Sequence, residues 1–325
     1  MVRALITGIT GQDGAYLARF LLLKNYEVYG FASRRVNQSY DNLDYLGITD
    51  HVKIVFGDMN DQSSLVRAIN TSDPDEIYNL AAMSFVGLSW QEPIHTANVN
   101  GMGPLYLLEA VRSHAPNAKV YQASTSEMFG NNWEDDMSQN ELTAFRPRSP
   151  YGSAKVFAHN TMVNYRESFN IHTSCGILFN HESPIRGKEF VTRKITDGIA
   201  RISCGLQDHI ELGNLDARRD WGFAGDYVAA MWMMLQTDPD DYVIATGNTW
   251  TIKEFLDIAF DYVGIKDPVE NGYIQQNPEF MRPAEVPNLL GDPTKANRKL
   301  GWKAKTSFEN LVTIMMNADI ERYET

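Results

Sequence analysis

Residues 3–23 read RALITGITGQDGAYLARFLLL, a short β-type run broken by glycines at 8, 11 and 14 and followed by an apolar repeat at helical spacing. Strand, turn and helix in that order bring backbone N–H groups and a helix N-terminus to one place, where they stabilise a pyrophosphate. The spacing is G-x-x-G-x-x-G rather than G-x-G-x-x-G. On this passage alone an ordinary strand-to-helix loop stays open as the alternative.

The same unit recurs downstream, with strand-like runs YEVYGFAS (26–33), VKIVFGDMND (52–61), EIYNLAAMSFVG (76–87) and KVYQAS (119–124) separated by helical patterns. That alternation predicts an α/β fold with a doubly wound, Rossmann-type parallel sheet and its sites at the carboxyl ends of the strands. Arg34 and Arg35 close the second run. Two guanidiniums there suit the 2′-phosphate of NADP, with a solvated surface pair as the alternative. Asp58 stands where a carboxylate accepts from an adenine amino group or caps a helix near Gln62, and Ser84 where it touches a sugar or caps a helix.

Further along, STSEMFG (124–130) and SPYGSAK (149–155) supply a hydroxyl, a carboxylate, a phenol and an ammonium. An extended backbone through residue 127 would point Thr125 and Glu127 the same way, by the period of two. Ser149 predicts an N-cap and Pro150 the first helical residue, so Tyr151 and Lys155 share one face of the first turns. An ammonium and a helix N-terminus both favour phenolate, the form that takes a proton from an alcohol. Tyr and Lys at this spacing also occur on ordinary helices.

The second half is more irregular, as a smaller mixed α/β substrate lobe would be, and the expected division is 1–170 mainly nucleotide-binding and 171–325 mainly substrate-binding, interleaved. It carries Asn180-His181 at a strand end, Arg186 in a polar loop, Lys194 in the first turns of a helix, Arg218-Arg219-Asp220-Trp221, and Arg282 with Glu285 in a Pro-bounded loop. A net charge of −12 over 325 residues opposes nucleic acid or an acidic membrane as partner. Cys175 and Cys204, the only cysteines, fit neither a disulfide framework nor a metal site and are expected to be buried structural thiols in a reducing compartment. The N-terminal run starts a strand at once and no apolar stretch reaches spanning length, so a soluble, cytoplasmic protein without metal is expected.

The chain resembles the extended short-chain dehydrogenases, and within them the GDP-mannose 4,6-dehydratase family. The resemblance rests on TGITGQDGAYLA, YNLAA, YQASTSEMFG, PRSPYGSAK, GILFNHESP, EFVTRKIT, LGNLDARRDWGFAGDYV, RPAEV and LLGDPTKA, which span nearly the whole sequence. It implies that Thr125, Glu127, Tyr151 and Lys155 are catalytic. It implies NADP at Gly8, Thr10, Gly11, Gln12, Asp13, Arg34, Arg35, Asp58, Met59, Leu80, Lys155, His181 and Arg186. For a GDP-sugar it implies Ser84, Asn180, Val191, Lys194, Gly213, Arg219, Arg282 and Glu285, with Lys194 near guanine and Arg219 and Arg282 on the diphosphate. A homodimer or homotetramer is implied as well. Two departures stand out: Met83 replaces a glutamine of the family pattern, which bears on the sugar pocket. VNQSYDNLDYLG (36–47) replaces an arginine- and serine-rich loop, which bears on subunit packing and on the cofactor phosphate.

The reaction so implied is an internal, redox-neutral dehydration in which Tyr151 deprotonates the carbon 4 hydroxyl, Glu127 takes the carbon 5 proton and Thr125 steadies the carbon 4 oxygen. A 4-keto reductase would keep Tyr151 and Lys155 without needing an acid at 127. A dehydratase for another GDP-sugar, a heptose or N-acetylated hexose, would keep all four. A non-catalytic nucleotide-sensing module would keep only the glycine turn.

Overall fold

The computed structural model describes residues 1–33, 39–131, 138–281 and 284–324. Strands β1 (Arg3–Thr7), β2 (Glu27–Ala32), β3 (Val52–Phe56), β4 (Glu76–Asn79), β5 (Lys119–Thr125) and β6 (Thr173–Leu178) join β11 (Asp241–Ile244) in one seven-stranded sheet. Its order is β11-β6-β5-β4-β1-β2-β3 and every pair is parallel. The chain runs outward from β1 to β3, then returns to lay β4 on the other side of β1. Such a reversal of strand order is where open α/β sheets place a crevice at the carboxyl ends of their strands.

Alternation builds the two faces. Ala4 and Ile6 enter a core shared with Leu17 of helix α1 (Gln12–Leu23), while Leu5 enters the opposite core with Ile77, Val120 and Leu107. Following α2 (Asp41–Tyr45), helices α3 (Gln62–Ser72), α4 (Pro93–Ala97), α5 (Gly103–His114) and α6 (Pro150–Phe169) complete the first half of the chain. Strand β4 is shorter than its apolar run, because the chain turns irregular from Leu80 to Phe85.

Past β6 lie β7 (Asn180–Glu182), α7 (Val191–Ser203), β8 (Ile210–Leu212), β9 (Arg218–Arg219), β10 (Trp221–Phe223) and α8 (Ala224–Leu235). After β11 come β12 (Trp250–Thr251), α9 (Ile252–Tyr262), β13 (Ile274–Gln276), α10 (Thr294–Leu300) and α11 (Phe308–Glu321). Helices α7, α9 and α11 bury Ile195, Phe255, Met315 and Trp221 in a core of their own, whereas α8 packs Met231 and Met234 against the sheet. Both β6 and β11 belong to the main sheet, so the chain re-enters the first half twice after residue 170.

Cys175 is fully buried, but Cys204 ends α7 and is partly exposed, which corrects the expectation of two buried thiols. Among the described residues no helix is long and apolar enough to cross a membrane.

Candidate active site

A cleft of about 910 Å³ opens between the carboxyl ends of the central strands and the second-half loops. Its floor comes from β5 and α6. Ser149 caps α6, its Oγ accepting from the Gly152 N–H at 3.0 Å, and Pro150 occupies the first turn. Tyr151 and Lys155 therefore face the cleft together, with Lys155 Nζ 5.8 Å from the Tyr151 ring centroid and donating to the Ala123 carbonyl at 3.1 Å.

Thr125 and Glu127 line the same cleft, though not by continued extension. The strand stops at Thr125 and residues Ser126–Met128 form a 3₁₀ turn. Thr125 caps that turn by accepting from the Glu127 N–H at 3.2 Å, which leaves its own O–H proton to donate. A tight turn after a strand brings residues i and i+2 to one side as effectively as pleating does. Glu127 is only 8 % exposed.

The electrostatics differ from the expectation of a ready phenolate. Burial pushes the Tyr151 phenol up to about 12, with a hydrogen bond from Thr125 and the Arg186 charge opposing and the Glu127 charge adding to it. Burial also lowers the Lys155 ammonium to about 8. Desolvation outweighs the fields of the ammonium and the helix terminus because both groups are almost sealed from water. Burial thus favours the neutral phenol, and further positive charge in the cleft would favour its ionisation.

The glycine turn joins this floor from the other side. Gly8 takes φ of +70°, and a Cβ there would come within 2.8 Å of the Ala81 backbone nitrogen, so its smallness serves the packing of the turn on the loop after β4. Gly11 precedes α1 with no side-chain cap. Gln12 donates to the His181 carbonyl at 3.0 Å and accepts from Ser183 Oγ at 2.7 Å. Asp13 meets His181 Nε2 at 2.7 Å, and His181 Nδ1 stands 2.8 Å from the Phe179 carbonyl. Burial opposes both charges, yet the mutual attraction wins: Asp13 is held below its usual range and His181 above its own.

Of the residues singled out in the sequence, Asp13, Leu80, Ser84, Asn180, His181, Arg186, Val191, Lys194, Gly213, Arg219 and Glu285 line the cleft with the four at its floor. Gly11 and Gln12 line a neighbouring cleft of about 500 Å³, which Ser84 and Arg186 also reach. Gly8, Thr10, Asp58 and Met59 line neither. Asp58 does not cap α3; that role falls to Asp61, whose carboxylate accepts from Ser63 N–H at 3.1 Å. Ser84 caps no helix either, since it lies in the irregular stretch after β4. Arg34, Arg35 and Arg282 lie outside the described residues.

Arg219 donates to the carbonyls of Arg218 and Val286 at 2.8 Å each and pairs with Glu285 at 3.1 Å. Lys194 Nζ sits 3.4 Å from the Phe280 ring centroid, and Gly213 touches the same segment so closely that a Cβ would lie 2.6 Å from the Phe280 carbonyl. Phe190, stacked by the Arg186 guanidinium at 3.5 Å, and Phe280 were not singled out in the sequence; only their neighbours Val191 and Arg282 were. An isolated aromatic in a loop gives no period to read. Met83 does not line the cleft: its main chain is held by Asn100 through bonds of 2.8 and 2.9 Å, and its sulfur accepts from Thr96 at 3.7 Å.

A family model described as GDP-mannose 4,6 dehydratase matches residues 5–315. The chain is 51 % identical over 331 residues to GDP-mannose 4,6 dehydratase 1 of Arabidopsis thaliana, covering 98 % of this chain and 90 % of that one. It belongs to the GDP-mannose 4,6-dehydratase family. The GDP-mannose 4,6 dehydratase of Drosophila melanogaster is 48 % identical over 341 residues, covering 98 % of this chain and 86 % of its own. Among solved structures, the dTDP-glucose 4,6-dehydratase of Streptomyces venezuelae with NAD and TYD bound aligns with a TM-score of 0.88 at 22 % identity, covering 99 % and 98 % of the two chains, a likeness of fold. Membership of the GDP-mannose 4,6-dehydratase family agrees with a cleft in which a buried carboxylate accompanies the tyrosine and lysine.

Proposed function

We propose that this chain converts GDP-mannose to GDP-4-keto-6-deoxy-mannose and water, as a lyase that recycles a bound NADP. The observation that carries this reading is the buried Glu127 carboxylate on the same cleft wall as Thr125 and Tyr151. A reductase has no task for that acid, whereas an elimination requires it.

The cradle suits a dinucleotide: a glycine turn without room for side chains runs into an uncapped helix N-terminus beside a cleft that reaches Tyr151. Gly8, Thr10, Gly11, Gln12, Asp13, Asp58, Met59, Leu80, Lys155, His181 and Arg186 would hold it, and Arg34 and Arg35 would choose NADP over NAD. When bound, NADP would supply a reversible hydride acceptor for the sugar and positive charge near the phenol. Ser84, Asn180, Val191, Lys194, Gly213, Arg219, Arg282 and Glu285 would hold the GDP-sugar, with the arginines facing the diphosphate.

The chain's own groups then move the protons. Tyr151 accepts the proton of the carbon 4 hydroxyl while Lys155 holds the charge beside it. Thr125 donates to the carbon 4 oxygen, which acidifies the proton on carbon 5. Glu127 removes that proton and delivers it to the hydroxyl leaving carbon 6, so water departs and the carboxylate is restored; as carbon 6 receives the hydride, the proton that Tyr151 took from the carbon 4 hydroxyl is returned to carbon 5, which restores the phenolate. In this reading residues up to about 170 mainly serve the nucleotide cofactor and later ones the sugar nucleotide.

Two further parts belong to the same proposal. Two free cysteines fit a cytoplasmic enzyme. Exposed Ile94 and Phe157, apolar side chains on α4 and α6, support a homodimer or homotetramer.

The test is GDP-mannose with purified protein in heavy water, reading deuterium entry at carbon 5 and growth of a 4-keto product. Glu127→Gln should stop exchange while still allowing reduction of the bound nucleotide, seen as the absorbance of the reduced nicotinamide. Undiminished turnover by that variant would overturn the elimination.

A further inference from the structure

We propose that Asp319, on the last helix, is a positioning residue for the active-site arginine Arg186, acting through a buried guanidinium latch on the loop that follows β7. The inference rests on the reading of the cleft as a nucleotide site and adds a distal determinant that lies outside the cleft.

Asp319 is completely buried in α11, far from Tyr151 in the chain, and its two oxygens are saturated. Arg193 approaches with Nε at 3.0 and 2.9 Å and a terminal nitrogen at 2.7 Å, Thr196 Oγ1 donates at 2.6 Å, and Arg322 donates as well. A sealed carboxylate with this many charge-assisted donors is a rigid anchor. Its purpose shows in where the two guanidiniums spend their remaining donors. Arg193 gives one to the Arg186 carbonyl at 3.0 Å, and Arg322 gives one to the Pro184 carbonyl at 2.8 Å. Both carbonyls belong to the short loop between β7 and α7.

That loop is pinned at its other end to the glycine turn through Ser183 and Gln12, whose contact is 2.7 Å. Between the two pins Arg186 reaches into the cleft, paired with Glu182 at 3.1 Å and lying over Phe190. Its charge is felt by both Asp13 and Tyr151. Releasing the latch leaves the Arg186 side chain intact but frees the backbone that aims it, and a displacement of an ångström at such a residue is enough to weaken binding.

A double-mutant cycle tests this. Asp319→Asn and Arg186→Met should each raise the Kd for NADPH about tenfold by calorimetry, and the double variant should stay within about twofold of Arg186→Met, because both changes remove one interaction. Multiplied effects in the double variant, or wild-type affinity in Asp319→Asn, would overturn the latch. If Asp319→Asn fails to fold, Arg322→Ala leaves the Arg193–Asp319 pair in place while freeing the Pro184 carbonyl and removing one donor from Asp319; it should show the same non-additivity with a smaller effect. Hydrogen exchange supplies a readout independent of ligand: amides of residues 183–190 should exchange about tenfold faster in either latch variant. Unchanged exchange would sink the proposal, whereas faster exchange with a wild type that binds no NADPH would sink the nucleotide reading and leave the latch standing.

Discussion

His181 Nε2 stands 2.7 Å from an Asp13 carboxylate oxygen, joining the first turn of α1 to β7 across 168 residues of sequence. Asp13 is held low and His181 high, so the charged pair stabilises the fold in a window with two edges. The His181 contribution is full below the unfolded histidine pKa of about 6.5 and fades as pH rises through its higher folded value; the Asp13 contribution is present above about 3.9 and is lost as pH falls through its lower folded value. Urea midpoints measured from pH 4 to 9 should therefore fall on the alkaline side, and His181→Asn should flatten that limb. An unchanged alkaline limb in the variant would place its cause elsewhere.

Lys155 works against stability. Its ammonium titrates near 8 in the fold, below the unfolded lysine value of about 10.4, so the penalty for charging it is present at neutral pH and relieved as pH rises between the two. Lys155→Met should abolish turnover yet raise stability at pH 7 by about 1–3 kcal/mol, with less gain at pH 10. Thermal melts at the two pH values measure this directly, and a destabilised variant at pH 7 would contradict it.

Asp220 is fully buried between two cleft residues, Arg219 and Trp221. It accepts from Thr246 N–H and hydroxyl at 2.8 and 2.7 Å, Gly247 N–H at 3.0 Å and Gly291 N–H at 3.3 Å, while burial pushes its pKa up to about 6. Asp220→Ala orphans those donors and should cost about 2–4 kcal/mol of stability. It should also raise the KM for the sugar nucleotide, because the strand carrying Arg219 loses its tether. Retention of wild-type stability would show that water replaces the carboxylate.

Gly213→Ala places a methyl 2.6 Å from the Phe280 carbonyl. The Phe280 segment must retreat, taking with it the ring under Lys194. The expected result is a KM for the sugar nucleotide raised about tenfold with kcat nearly unchanged, since the chemistry lies elsewhere in the cleft. A fall in kcat alone would speak against a purely binding role.

Met83→Gln, which introduces the residue the sequence resemblance leads one to expect there, should leave kcat/KM within about twofold, because Asn100 holds position 83 by its backbone and the side chain points to Thr96 rather than the cleft. A large gain in activity would show that position 83 reaches the sugar after all.

Much of the sheet was readable in the sequence because its strands are near-continuous apolar runs punctuated by glycine and acidic caps, as in 3–23 and 52–61. The cap at Ser149 and the helical face shared by Tyr151 and Lys155 follow from local chemistry and hold in the structure. What failed was what depends on surroundings. Whether Glu127 lies on a strand or a turn depends on where pairing with β6 ends, and that pairing stops at Thr125. The phenol's protonation depends on how thoroughly the cleft sheds water, which no local pattern states. Arg193 and Asp319, 126 residues apart, reveal their partnership only once α7 and α11 pack together.

The latch on α11 also bears on synthesis. A chain emerging from the ribosome completes its parallel sheet and glycine turn before residues 319 to 322 appear, so the loop bearing Arg186, already tied to the turn through Ser183 and Gln12, gains the hold of Arg322 on Pro184 and the Asp319 anchor for Arg193 late in synthesis. Nascent molecules should thus lack a firmly aimed Arg186 until the helix at 308–321 docks.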